Sequence, residues 1–222
     1  MSFLAVFDVD GTLVDSQHHI GAAMDHAHDA AGLERLPHAR VLEIVGLSLP
    51  EAFAHLHPNL DESSRAALVA GYKDAFSAVR TRMGEAGAPL YPGVAEGLER
   101  LGAMPDLLIG AATGKSRRGL DSVFDTHDLR RHFVTAQCAD DHPSKPHPGM
   151  LLAALAETGS EADRAAMIGD TEFDIAMGRA AGMATIGVTW GYHGADRLQA
   201  AGADHLAEDF AGLEALILEL AQ

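Results

Sequence analysis

The sequence predicts an α/β fold: a Rossmann-like parallel sheet core with a helical cap inserted after the first strand. Three observations carry this. The apolar run Phe3–Phe7 has the length of a buried strand and stops on two carboxylates, Asp8 and Asp10. The stretch from Ser16 to about Gly87 is rich in Ala, His and Leu at helical spacing, with no convincing strand. From Leu90 onward, short apolar runs alternate with helical segments, as parallel strands joined by crossover helices do. The first strand must join that sheet across the insert. The core is therefore expected at residues 1–14 and 88–222, and the cap at 15–87.

In order along the cap, His19–Ala31 reads as a helix broken near Gly32, and Pro37–Val45 as a second. G-L-S-L-P-E-A-F starts a third, with Ser48 as N-cap and Pro50 in the first turn. Asp61–Arg82 opens on the capping signal D-E-S-S and carries Leu68, Tyr72, Ala75, Phe76 and Val79 at helical intervals. In the core, Y-P-G-V (Tyr91 to Val94) opens a helix to about Met104, and Leu107–Ala112 is a strand running into Thr113-Gly114-Lys115-Ser116. Arg117–Leu129 is helical, Phe133–Ala139 a weaker strand and Pro146–Thr158 a helix. Ala165–Ile168 is a strand ending in Gly169-Asp170, followed by a helix at Thr171–Ala181 and a strand at Ala184–Thr189. An amphipathic helix at Ala211–Leu220 ends the pattern.

At 222 residues the chain can bury a sizeable core, and 47% hydrophobic with 22% charged residues is ordinary globular composition. The single cysteine, Cys138, excludes an internal disulfide and suits a reducing cytoplasm. No basic lead-in precedes the first apolar run, and no stretch reaches the ~20 apolar residues that span a membrane. The net charge of −16 argues against nucleic acid and anionic membranes as partners. Seven of the thirteen histidines fall between His18 and His57, at spacings that make no zinc signature, which suggests surface positions on helices.

Asp8/Asp10, Thr113-Gly114, Lys145, and Asp170 with Asp174 all fall at or just past expected strand ends, so all converge on one sheet edge. Alone, D-x-D-G-T is also a turn sequence; the other three features decide against that reading. Two carboxylates one residue apart repel unless a cation or a proton intervenes, and an oxygen-loving ion such as Mg²⁺ serves. The residue types suit phosphoryl transfer: a carboxylate to attack phosphorus, a second to give its proton to the leaving group, a hydroxyl and an amine for the phosphate oxygens.

With these motifs in place, the chain resembles the haloacid dehalogenase superfamily of phosphohydrolases over essentially its whole length. F-D-V-D-G-T-L-V-D-S, A-A-T-G-K, Lys145 in P-S-K-P-H-P, and G-D-T-E-F-D-I-A-M-G-R-A-A-G match its four motifs in order. V-T-W-G-Y and Y-P-G-V look most like the phosphoglycolate phosphatase branch. The resemblance implies Asp8 as nucleophile and Asp10 as general acid/base. It implies Thr113, the Gly114 amide and Lys145 as phosphate ligands, and Asp8, the Asp10 carbonyl and Asp170 as holders of Mg²⁺. Asp174 would orient Lys145 or a metal-bound water, or serve as the first-turn acid of its helix. The implied activity is hydrolysis of a small phosphorylated metabolite, phosphoglycolate-like, by a cytoplasmic monomer or homodimer.

Phosphatases for sugar phosphates, pyrophosphatases and phosphomutases share the pattern; the mutase reading is weakened by Leu49, which stands where mutases often carry an arginine. Gly114 replaces the Asn of many relatives. A P-loop reading of G-A-A-T-G-K-S fails because three residues, not four, separate its glycines. An inactive binding homologue would be expected to have lost one of the motif residues. Lys73, Arg80, Arg82, His18 and His19 are the cap side chains that could meet a leaving group.

Overall fold

The structure is a computed structural model, describing residues 2–83 and 88–222. Six strands form one all-parallel sheet: β1 (Phe3–Phe7), β2 (Leu107–Thr113), β3 (Thr135–Cys138), β4 (Ala165–Gly169), β5 (Ala184–Val188) and β6 (His205–Ala207). Their order is β3-β2-β1-β4-β5-β6. The chain winds outward from β1 through β2 and β3, then returns to β1's other side at β4. The carboxyl ends of β1 and β4 therefore flank the point where the winding reverses, the place where such sheets open a crevice.

Strand β1 has neighbours on both sides, Phe7 pairing with Ala111 of β2 and with Ile168 of β4. Both its faces are covered, which is why its five residues are all apolar. Phe3, Ala5 and Phe7 enter one core with Leu98, Leu101, Phe124 and Phe210, from helices α5 (Val94–Gly102), α6 (Arg117–Thr126) and α10 (Phe210–Leu220). Leu4 and Val6 point the other way, into a core with Met150, Leu151 and Met177 from α7 (Gly149–Thr158) and α8 (Glu172–Ala180). The period of two in β1 thus becomes two separate hydrophobic layers.

Helices α1 (Gln17–Ala30), α2 (His38–Leu42), α3 (Leu49–Leu56) and α4 (Glu62–Met83) lie between β1 and the rest of the sheet in sequence. They bury a core of their own, with Met24, Ala27, Ile44, Phe53, Leu68 and Tyr72 at its centre. Asp61 caps α4 by accepting from the Ser64 amide at 2.7 Å. The expected cap boundary at Gly87 lies outside the described residues. No helix among the described residues is long and apolar enough to cross a membrane.

Several segments depart from expectation. Helix α6 stops at Thr126 rather than Leu129, because Asp128 adopts a left-handed φ of 53° that helical backbone cannot continue through. Helix α9 (Ala195–Ala200) and β6 were not foreseen. A three-residue edge strand carries too few residues for alternation to register. The histidines also differ: His28 is fully buried and His19 nearly so. One His28 nitrogen lies 2.8 Å from the Met24 carbonyl, and the other 2.9 Å from His57 Nε2. Both polar atoms are matched inside the helix pair, so burial is tolerated.

Candidate active site

Asp8 is the first residue past β1, anchored by its amide donating to Ile168 O at 2.8 Å. Asp170 follows β4, Asp174 lies in the first turn of α8, and Lys145 comes from the loop before α7. Carboxylate oxygens of Asp8, Asp170 and Asp174 lie within 4.8 Å of one another, with exposures of 1%, 0% and 0%. Lys145 Nζ stands 2.8 Å from Asp8 Oδ1 and donates to Asp174 Oδ1 at 2.6 Å. Among the described residues it is the only ammonium paired with these three carboxylates.

Burial raises Asp8; Lys145 opposes this, while Asp174 and Asp10 add repulsion, and the outcome is a carboxyl pushed up to about 7. Asp170 is raised well above the carboxylate range by burial, then by Asp174 and Asp8. Burial alone would pull Lys145 down, but Asp174 and Asp8 outweigh it and hold the amine above its ordinary value.

Asp170 is held by other loops. Thr12 Oγ1 donates to its Oδ1 at 3.0 Å and the Tyr192 amide to its Oδ2 at 2.8 Å. Gly11 passes over it with φ 84°, where a β-carbon would sit 2.2 Å from Oδ2, so both conformation and space require glycine there. Asp174 satisfies both sequence readings. Its Oδ2 accepts from Thr171 N and Oγ1, closing a capping box, while its Oδ1 takes the Lys145 bond.

The residues present fit a divalent cation. Three buried hard-oxygen ligands face one ammonium, and neither Asp8 oxygen accepts an aligned hydrogen bond, despite the proximity of Lys145 to one of them. The Asp10 carboxylate lies outside this cluster. It accepts from Lys115 Nζ at 2.7 and 2.8 Å on its two oxygens, and from Ser16 Oγ on Oδ1. Ser16 is the N-cap residue of α1, but its hydroxyl makes no capping bond and goes to Asp10 instead. Thr113 ends β2 with its hydroxyl 3.3 Å from the Lys115 amide, as acceptor.

A cavity of about 150 Å³ opens above Asp8 and Asp10, with Thr113, Gly114 and Lys115 on the core side. Of the cap candidates, Lys73 and Arg80 line it; His19 lines an adjoining space; His18 and Arg82 are exposed and line neither. Gly114 has a steric role. A β-carbon there would meet the main-chain oxygens of Gly46 and Leu47 at 2.4 and 2.7 Å, so glycine is what lets this cap loop settle against the core. Two hydrogen bonds pin the same loop: Ser48 N to Ser144 Oγ at 2.8 Å, and His193 Nε2 to Glu43 O at 3.2 Å.

Sequence reasoning missed Lys115, Ser16 and Tyr192. Lys115 carried a signal, being a basic residue two places after Thr113 at the active edge. Tyr192 closes the V-T-W-G-Y motif, but neither its amide bond to Asp170 nor the bond its hydroxyl accepts from the Ser16 amide at 3.2 Å can be read from that motif. The Gly110–Ser116 stretch is not a P-loop: Gly110 is buried in β2, and Ser116 caps α6 by accepting from the Gly119 amide.

The model of haloacid dehalogenase-like hydrolases matches residues 5–188, which include Asp8, Asp10, Thr113, Gly114, Lys145, Asp170 and Asp174. The chain belongs to the haloacid dehalogenase-like hydrolase family. A relative from Dickeya dadantii named "Probable phosphatase IndB" is 35% identical, over 95% of this chain and 91% of its own. A phosphoglycolate phosphatase of Agrobacterium fabrum is 29% identical over 99% and 94%. The crystal structure of a hydrolase from Pseudomonas syringae, 25% identical, superposes with a TM-score of 0.87 over the full length of both chains. The family's sheet and helical layers are thus those described above.

Proposed function

We propose that the protein is a Mg²⁺-dependent phosphatase that hydrolyses a small phosphate monoester through a phosphorylated Asp8. The observation that carries the reading is Asp8 itself: a buried carboxylate at the end of the central strand with neither oxygen tied down by an aligned hydrogen bond. A carboxylate so placed is available to a metal on one oxygen and to phosphorus on the other. The names of the relatives from Dickeya dadantii and Agrobacterium fabrum support a phosphate ester as substrate.

Mg²⁺ bound by Asp8, the Asp10 carbonyl and Asp170 would neutralise charge on the transferring phosphoryl oxygens. Asp174 adds a third carboxylate next to that set and holds Lys145. Lys145, Thr113 Oγ1 and the Gly114 amide bind the phosphoryl group and orient it in line with Asp8. An Asp8 oxygen forms the new bond to phosphorus as the ester P–O bond breaks, and Asp10 gives its proton to the departing alcohol. Asp10, now a carboxylate, takes a proton from the water that attacks the phosphoenzyme, which restores both aspartates and releases phosphate.

Helices α1–α4 act as a cap that covers the leaving group, over residues 15–87. The single buried thiol, Cys138, is in keeping with a cytoplasmic setting. The test is phosphate release with and without EDTA, with acid quenching to trap phosphoenzyme. Chelation should abolish turnover, Mg²⁺ should restore it, and Asp8→Asn should yield no covalent phosphate. Full activity without metal, or a phosphorylated Asp8→Asn protein, would overturn the reading.

A further inference from the structure

The cavity over Asp8 and Asp10 has two chemically different walls. The cap presents Ile20, Met24, Leu47, Leu49, Tyr72 and Phe76, with Tyr72 and Phe76 rings stacked at 5.8 Å and 27°. The cap's cationic side chains in the lining are Lys73 and Arg80, and Arg118 joins them from the core. None of the three has an ion-pair partner among the described residues, although the chain holds 32 acids against 16 Lys and Arg. Arg118 donates to Ser77 Oγ at 3.0 Å, so one of these cations also ties core to cap. Among the described residues, the cap's lining contains no carboxylate and no side-chain amide.

A leaving group in this space meets hydrocarbon and ring faces over most of its body. Hydroxyls of a sugar or glycerol unit would lose water there and gain few partners. A flat apolar body would lose nothing and would pack beside Phe76, whose ring also carries Tyr72 and, 5.1 Å from its centroid, Lys115 Nζ. At about 150 Å³, with roughly 10–15 Å³ needed per water-sized group, the cavity holds on the order of ten non-hydrogen atoms. Of the three, Arg80 is half-buried while Lys73 and Arg118 are exposed at the rim; Arg80 marks the place for negative charge, and the phosphoryl group already has Lys145 and Thr113.

Resting on the phosphatase reading above, we propose that the substrate is a phosphate monoester of a compact, flat, largely apolar alcohol with a second anionic group at its far end. The Tyr72 and Phe76 side chains hold the body, and Arg80 with Lys73 or Arg118 holds the distal anion. The site then discriminates against polyhydroxylated esters and against leaving groups too short to reach the rings.

The test is kcat/KM for four esters of alkyl alcohols, whose intrinsic leaving abilities are similar: benzyl phosphate, 4-carboxybenzyl phosphate, glycerol 3-phosphate and phosphoglycolate. Both benzyl esters should exceed glycerol 3-phosphate and phosphoglycolate by about tenfold or more, and the carboxylated one should lead. Phe76→Ala should collapse the ratio of benzyl to glycerol ester. Arg80→Ala should collapse the ratio of 4-carboxybenzyl to benzyl. Acetyl phosphate reports whether each variant still folds and transfers phosphate, and Phe76→Leu replaces Phe76→Ala if that protein is inactive on it. A wild-type preference for phosphoglycolate or glycerol 3-phosphate overturns the inference. So does an Arg80→Ala protein that loses rate equally on all four, since the cation would then serve only to attract phosphate. Hydrolysis of no ester at all, acetyl phosphate included, overturns the phosphatase reading as well.

Discussion

At the scale of single residues, the site is governed by three buried carboxylates sharing one ammonium. Lys145→Met would leave Asp8, Asp170 and Asp174 facing each other uncompensated. The variant should lose about 3–5 kcal/mol in urea melts of the metal-free protein, the usual cost of breaking a buried ion pair from one side. It should also lose inhibition by inorganic phosphate. Wild-type inhibition in a folded variant would remove Lys145 from the phosphate subsite.

The sign of the pH effect follows from Asp8. Its folded-state value of about 7 lies above the 3.8 of a free side chain, so between those values the folded protein holds a proton that the unfolded chain releases. Metal-free stability should therefore fall as pH rises from about 4 through 7. Mg²⁺ should raise the Tm more at pH 8 than at pH 5.5, because protons compete for the same oxygens at the lower pH. Asp8→Asn should reduce that slope and leave the part due to Asp170, which is raised in the same direction, as thermal melts of both proteins would reveal.

At the scale of elements, the loop from Glu43 to Ser48 decides how the helical insert meets the sheet. Gly114→Asn puts a β-carbon into two main-chain oxygens that cannot rotate away, so the loop must lift. Expected results are a stability loss of about 1–3 kcal/mol, faster amide exchange at residues 43–48, and kcat/KM down by roughly 10²-fold from misplacement of the cavity wall. Unchanged exchange at those residues would show that the loop accommodates the side chain.

This loop also marks where the sequence stopped being legible. Strands β1, β2, β4 and β5 announced themselves through apolar runs ending on polar residues, and the carboxylates at their ends followed from that placement. Asp10 was foreseen as a neighbour of Asp8, but its ties to Lys115 and Ser16 cross between elements that no periodicity connects. Gly114 was visible as a substitution, while the reason for it, the Gly46 and Leu47 carbonyls, required the cap to be set down on the core. Buried His28 and half-buried His57 were read as surface because each residue looks polar until the other is brought against it.

At the scale of the whole molecule, the proposed reading gives the phosphoryl group to the ends of the sheet and the leaving group to a cavity walled largely by the inserted helical segment. Replacing residues 16–87 by a short Gly/Ser linker should leave weak, Mg²⁺-dependent turnover of acetyl phosphate and remove the differences among larger esters. A capless protein that keeps the wild-type ranking would place specificity in the sheet's own loops.

The centre of the sheet has one more consequence, for the order in which the molecule is made. Strand β1 is buried on both faces and both edges, yet its two neighbours are β2 and β4, far downstream. During synthesis, Phe-Leu-Ala-Val-Phe leaves the ribosome with nothing to pair against until Leu107–Thr113 has followed it. At about 5–20 residues per second that delay is on the order of ten seconds. For that interval the most hydrophobic segment of the finished core is an open strand, tethered to cap helices whose apolar residues can already begin to associate. A nascent chain paused between the cap and β2 is therefore the form of this protein most prone to aggregate, and the one a chaperone would be expected to bind.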